Sequence, residues 1–365
     1  MNPVSLYLHC FNTFSHIGPK SLLRIYQYGA EILWNEGTLS DFKAVLGTRV
    51  NLSWYDDFNH LDRSSFLIQE KKYLEKNNIQ ISILGDELYP ERLAHIAVPP
   101  PILYIIGDIS GIEHSLAIIG TRKYSQYGSR IAEKISRELS QEGIPIISGL
   151  ALGIDSIAHK GCLEGKSKTI AVLAGGVDDA SIYPSTNRSL STMIISSGGA
   201  LISEFPPKTK PRREYFVLRN RIVSGIARGV LVIEAPLKSG TLTTIKYALE
   251  QNRDVFAIPG NIDVKNSEGT NALIKQGAYV VTKSDDILEV FGLESIDRGY
   301  TLSDFTPEQQ DIIQYLIQEP MTLELLAQKT NQSVIELMSL LSIMELSGII
   351  RLGQQGEYAL IMNIQ

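Results

Sequence analysis

"IPIISGLALGIDSIAHKG" runs from Ile144 to Gly161. It opens as a short β-branched run, turns at Ser148-Gly149-Leu150-Ala151 and continues as a helical stretch. The same texture extends to both sides. Apolar runs LAIIG (116–120), TIAVLAGG (169–176), ALISEF (200–205), VLVIEA (230–235), VFAIPG (255–260) and AYVV (278–281) alternate with amphipathic stretches such as 129–142 and 241–252. Strands that read as near-continuous apolar runs have both sheet faces covered by helices. The expected fold is therefore α/β: a Rossmann-like, doubly wound, mostly parallel sheet over residues 81–293.

The texture changes on either side of this region. Residues 1–80 read as helical, and FSHIGPKSLLRIYQYG (14–29) has the form helix, Gly-Pro turn, helix. Such a turn suits a SAM-like or helix-hairpin-helix module, or equally a small packed bundle. The polar stretch over 294–305 reads as a linker. Residues 306–365 then give helix, helix, turn, helix and a hairpin centred on Gly353–Gly356, a winged-helix pattern. That segment carries Lys329 and Arg351 against seven acidic residues, and its expected recognition helix, 333–347, has two glutamates and no Lys or Arg. Duplex DNA repels such a surface, so a protein-contact role is expected there.

Composition narrows the classes further. With 365 residues, 44% apolar and 20% charged, the chain has the balance of a globular protein, and its net charge of −6 argues against nucleic-acid binding by the whole surface. The N-terminus lacks the layout of a signal peptide, and no apolar run reaches the roughly 18 residues of a membrane span. The two cysteines, Cys10 and Cys162, fit no metal-ligand spacing. A cytoplasmic protein with reduced thiols, no metal and no cofactor is expected.

Ligands of open α/β sheets bind beyond the carboxyl ends of the strands. Four turns there are rich in small residues: Gly120-Thr121-Arg122, Ser148-Gly149-Leu150, Gly175-Gly176 and Ser239-Gly240-Thr241. Small residues let a phosphate approach the backbone, and N–H groups at a helix start point toward it. No G-x-G-x-x-G is present, and GCLEGKSK (161–168) is one residue short of a P-loop and follows a helix. ATP hydrolysis is not expected.

A basic cluster accompanies the turns. PRREYFVLRNR (211–221) reads as a helix start with Pro211 at its first position, and places Arg212, Arg213, Arg219 and Arg221 around Phe216 and Asn220. Residues 208–253 hold ten Lys and Arg against Glu214, Glu234 and Glu250. Guanidinium groups fork onto phosphates, and an aromatic ring stacks on an unpaired base, so single-stranded nucleic acid is the expected ligand.

These motifs, with IIGTRKYSQYG, SEFPP, FVLRNRIVSGIARGVLVIEA and EGTNALIKQGA in order, resemble the DprA/Smf family of DNA-processing proteins. The resemblance covers nearly the whole α/β region. It implies a homodimer that binds single-stranded DNA, protects it in natural transformation and loads the recombinase RecA, without catalytic turnover. It implies a pocket of Arg122, Arg213 (or Arg212), Phe216 and Arg219-Asn220-Arg221 over a floor of Gly149, Gly175, Gly176 and Ser239-Gly240-Thr241. The alternative is a phosphoribohydrolase of the lysine-decarboxylase-like family, which has a similar turn followed by a glutamate. Here Thr243 and Thr244 stand where that acid is expected.

Overall fold

The computed structural model describes residues 3–14, 16–47, 50–293, 302, 305–353 and 356–361. The chain forms two compact units, 1–294 and 295–365. Most of the expected linker lies outside the described residues.

The first unit begins with six helices: α1 (Pro3–Asn12), α2 (Pro19–Tyr28), α3 (Ala30–Glu36), α4 (Leu39–Leu46), α5 (Tyr55–His60) and α6 (Arg63–Lys76). Gly18 precedes α2, with Pro19 in its first turn, where a missing N–H costs nothing. Thr38 and Asp41 close a capping box on α4. Phe11, Trp34, Phe42, Trp54 and Phe58 form a mutually packed, fully buried aromatic group. This group shares one apolar cluster with Ile102, Tyr104, Leu150, Ala171 and Leu201 of the sheet region. The helices are thus a layer laid on the sheet, within the same unit.

The sheet follows: β1 (Gln80–Ile83), α7 (Glu91–Ala94), β2 (Ile102–Gly107), β3 (Leu116–Ile119), α8 (Gln126–Gln141), β4 (Ile146–Ser148), α9 (Ile154–Leu163), β5 (Thr169–Val172), α10 (Arg188–Ser196), β6 (Ala200–Ser203), α11 (Arg213–Ile226), β7 (Gly229–Val232), α12 (Gly240–Glu250), β8 (Asp254–Ala257), α13 (Glu268–Lys275), β9 (Tyr279–Val280) and α14 (Asp285–Val290). The strand order is β1-β2-β6-β5-β4-β3-β7-β8-β9. From β6 to β9 neighbours run parallel, while β2 is antiparallel to both β1 and β6. Every apolar run expected to be a strand is one. Winding proceeds outward from β3 through β4, β5 and β6, then restarts at β7 on the other side of β3. The reversal between β3 and β7 leaves a crevice beyond their carboxyl ends.

Two boundaries differ from the sequence reading. The helix expected from residue 129 begins at Gln126, because Ser125 caps it by accepting from Gly128 N at 3.0 Å. Pro211 lies outside its helix: Arg212 is the extended N-cap and Arg213 the first helical residue.

The second unit contains α15 (Pro307–Leu316), β10 (Met321–Thr322), α16 (Leu323–Thr330), α17 (Val334–Leu346), β11 (Ile350–Leu352) and β12 (Glu357–Leu360). Its three strands are ordered β10-β12-β11, and Leu316, Leu326, Leu337, Leu341 and Met344 form its own core. Among the described residues no helix is long and apolar enough to cross a membrane.

Candidate nucleic-acid interface

At the β3/β7 crevice lies a cleft of about 390 Å³. Three of the small-residue turns reach it, and α11 forms its wall. Gly120, Thr121 and Arg122 come from the turn after β3, Gly149 and Ala151 from the turn after β4, and Ser239, Gly240 and Thr241 from the turn after β7. Phe216, Val217, Arg219, Asn220 and Val223 face it from α11.

Close backbone packing explains the glycines. A Cβ on Gly120 would lie 2.6 Å from Ile154 Cγ1, and one on Gly149 would overlap the Arg219 guanidinium. Gly153 has φ +89°, and its Cβ would stand 2.5 Å from Thr121 O. The β3 and β4 turns therefore touch through bare backbone. Gly240 differs: nothing lies within 4 Å of where its Cβ would be. It opens α12, where Ser239 Oγ accepts from Thr241 N at 3.1 Å. The positive end of an eleven-residue helix thus lies at the cleft, beside exposed Lys238.

Across the mouth, the Arg122 guanidinium lies 5.4 Å from the Phe216 ring centroid. The exposed Tyr183 ring meets Phe216 edge-on at 5.8 Å. Phe216, Tyr183, Gly149, Gly175 and Pro211 also border a narrow recess next to the cleft. A cation and two rings on one rim can hold a phosphate and an unstacked base together.

Arg219 sits at the base. Its side chain is 4% exposed and donates to Val172 O. Burial, with Arg122 adding to it, lowers its pKa to about 10, against the pull of Asp155, so it stays charged at neutral pH. Asp155 also lines the cleft, and burial raises its pKa despite Arg219 and the N–H groups of Ala151 and Gly149. The turn after β4 thus faces an internal carboxylate. Its Leu150 is held at φ +55° and buried, with Asn187 Nδ2 donating to its carbonyl at 2.9 Å.

Several residues singled out from sequence stand elsewhere. Arg221 is buried in an ion pair with Glu204 and does not line the cleft. Arg212 and Arg213 are exposed at the start of α11, and Arg212 lies 5.8 Å from the Tyr215 ring centroid. Ser148 donates to Ile118 O at 2.6 Å within the core. Gly176 donates to Thr209 O at 2.9 Å and is covered by the 206–209 segment, so it serves packing. Conversely, Asp155, Lys238 and Tyr183 were not singled out. The GID that follows the turn after β4 was the available signal for Asp155.

The other carboxylate near the cleft, Glu234, is committed to the β3 turn. It accepts from Ser125 N at 2.9 Å and from Ser125 Oγ at 2.5 Å. On α9, the buried His159 and Cys162 do not line the cleft.

Comparison with known proteins gives a consistent picture. Residues 80–292 match the sequence model of a family described as DNA recombination-mediator protein A. The chain is 39% identical over 287 residues to Protein Smf of Escherichia coli, covering 76% of each. It is 35% identical over 273 residues to DNA processing protein DprA of Streptococcus pneumoniae, covering 74% of this chain and 93% of that one. The X-ray structure of the pneumococcal protein superposes with a TM-score of 0.67 at 31% identity, over 79% of this chain and 98% of that one. DNA processing protein A from Helicobacter pylori, described for its single-stranded DNA binding mode, gives a TM-score of 0.52 at 30% identity, over 58% and 95%.

Proposed function

The chain belongs to the DNA recombination-mediator protein A family, and on that premise we propose that it binds single-stranded DNA in the cleft between the β3 and β7 turns. The observation that carries this reading is the Arg122–Phe216 pair on the cleft mouth, beside Lys238 and the start of α12. A single strand presents phosphates and free base faces to such a rim, whereas a duplex keeps its bases stacked inside. The Helicobacter relative, at 30% identity, is described as a single-stranded DNA binder.

In the cell the protein shelters incoming single strands and loads the recombinase RecA on them, acting in the cytoplasm as a homodimer and without turnover. The engagement of Glu234 by Ser125 supports binding over a phosphoribohydrolase activity. The first six helices act as a SAM-like or helix-hairpin-helix module. The second unit is a winged helix whose acidic surface contacts protein.

Fluorescence anisotropy with single- and double-stranded oligonucleotides across a salt series tests the central claim. Tighter binding of the single strand, weakening as salt rises, is expected. Equal affinity for both forms would overturn it.

A further inference from the structure

Helix α17 is apolar on two opposite sides. Leu337, Leu341 and Met344 point into the core of the second unit. On the outer side Ile335 is 80% exposed and Leu346 is 89% exposed, with Met338 and Ile343 more than half exposed. At about 100° per residue, positions 335, 338, 342 and 346 fall on one stripe facing away from the buried set. Ser339 and Ser342 interrupt the stripe with small side chains, and no charge does. A single exposed leucine is ordinary on a protein surface, but an aligned apolar stripe marks an interaction site.

The charges beside the stripe select the occupant. Glu336 and Glu345 lie on its two borders, and residues 333–347 contain no Lys or Arg. Both are held in place, Glu336 by Ser333 Oγ at 2.6 Å and Glu345 by Leu352 N at 3.1 Å. A second copy of α17 laid along the stripe would add two more glutamates and no Lys or Arg to pair with them. A phosphate backbone would be repelled too.

We propose that this face docks an amphipathic segment of another protein, its apolar ridge bordered by Lys or Arg. The proposal rests on the reading of the second unit as a protein-contact module and gives that module a site. Helix stripes bind such segments by packing the apolar ridge and pairing the border charges.

The test uses the full chain and two labelled 18-residue amphipathic peptides, one of Leu and Lys and one of Leu and Glu. Anisotropy should show binding of the Leu/Lys peptide alone, at least tenfold weaker in an Ile335→Ser/Leu346→Ser variant whose melting temperature is unchanged. A Glu336→Gln/Glu345→Gln variant should bind more weakly and with less salt dependence. Undiminished Leu/Lys binding by the serine variant, or equal binding of the Leu/Glu peptide, would overturn the docking face alone. Self-association lost in the serine variant would assign the face to a second copy and overturn the proposal. Duplex binding lost in that variant would overturn both the docking face and the protein-contact reading beneath it.

Discussion

Arg122 Cζ lies 5.4 Å from the centroid of the Phe216 ring, joining the turn after β3 to α11 across the cleft mouth. The cation covers the aromatic surface that a base needs. On the proposed reading, a strand entering the cleft would draw Arg122 onto a phosphate and free the ring for stacking. Ligand and protein would then exchange partners at one point.

Replacing the ring should show this directly. Phe216→Ala should weaken binding of an oligothymidine by about 1–3 kcal/mol, roughly 5- to 150-fold, while Phe216→Tyr should retain most of the affinity. Titration by anisotropy decides it, and equal binding by the alanine variant would exclude a stacking role.

Phosphate contacts should appear in the salt dependence. Arg122→Ala and Lys238→Ala should each reduce the slope of log affinity against log salt by about 0.7, the single-strand value per contact. Arg351→Ala, in the second unit, should leave the slope unchanged.

The buried Arg221 should matter for stability and not for binding. Arg221→Met leaves the buried Glu204 carboxyl without its partner, at a cost of about 3–5 kcal/mol. Urea unfolding measures that loss. Affinity per folded molecule should match the unsubstituted protein; a stable variant with weakened binding would return Arg221 to the DNA.

Gly240 and Gly153 should separate ligand approach from backbone need. Gly240→Ala meets nothing within 4 Å, so its melting temperature should hold or rise while DNA binding falls, because the methyl occupies the approach to α12. Gly153→Ala should lower the melting temperature, given φ +89° and Thr121 O at 2.5 Å from the added carbon.

His159 should make the fold acid-sensitive. Thr169 gives its one hydroxyl proton to Ile146 O at 2.8 Å, so His159 Nδ1 must donate to Thr169 Oγ1 at 2.6 Å. His159 Nε2 is buried without a hydrogen-bond partner. Burial, reinforced by Arg219, lowers the pKa from 6.5 to about 3. The unfolded chain takes up this proton near pH 6.5 and the folded one only near 3. Stability is thus full above pH 6.5 and falls toward pH 3, by up to about 1.4 kcal/mol per pH unit. His159→Gln should flatten that slope in urea unfolding between pH 7 and 4.5.

The sheet was legible because its strands are short unbroken apolar runs, which only a doubly covered sheet accepts. The turns were legible because glycine marks places with no room for a side chain, as at Gly120 and Gly149. Side-chain direction was not. Arg219 and Arg221 sit two residues apart on α11, yet one lines the cleft and the other pairs with Glu204. Local spacing holds no record of Glu204, which comes from the turn after β6. Asp155 was missed for a similar reason: Arg219, whose charge acts on it, lies 64 positions away, and only the fold brings them near each other. The layer of helices read as separate because its turns are local, while its contact with the sheet runs through residues as distant as Leu8 and Leu201.

Leu150, strained in the turn that backs the cleft, belongs to the same apolar cluster as Trp34 and Phe42 of the helical layer. The family match begins at residue 80, but the apolar cluster that holds Leu150 begins at α1. Melting α1–α6 would open one side of the cluster that Leu150 shares and loosen the turn. Unfolding of the helical layer and loss of DNA affinity should therefore be one cooperative event, in which residues that never meet the ligand set its temperature limit.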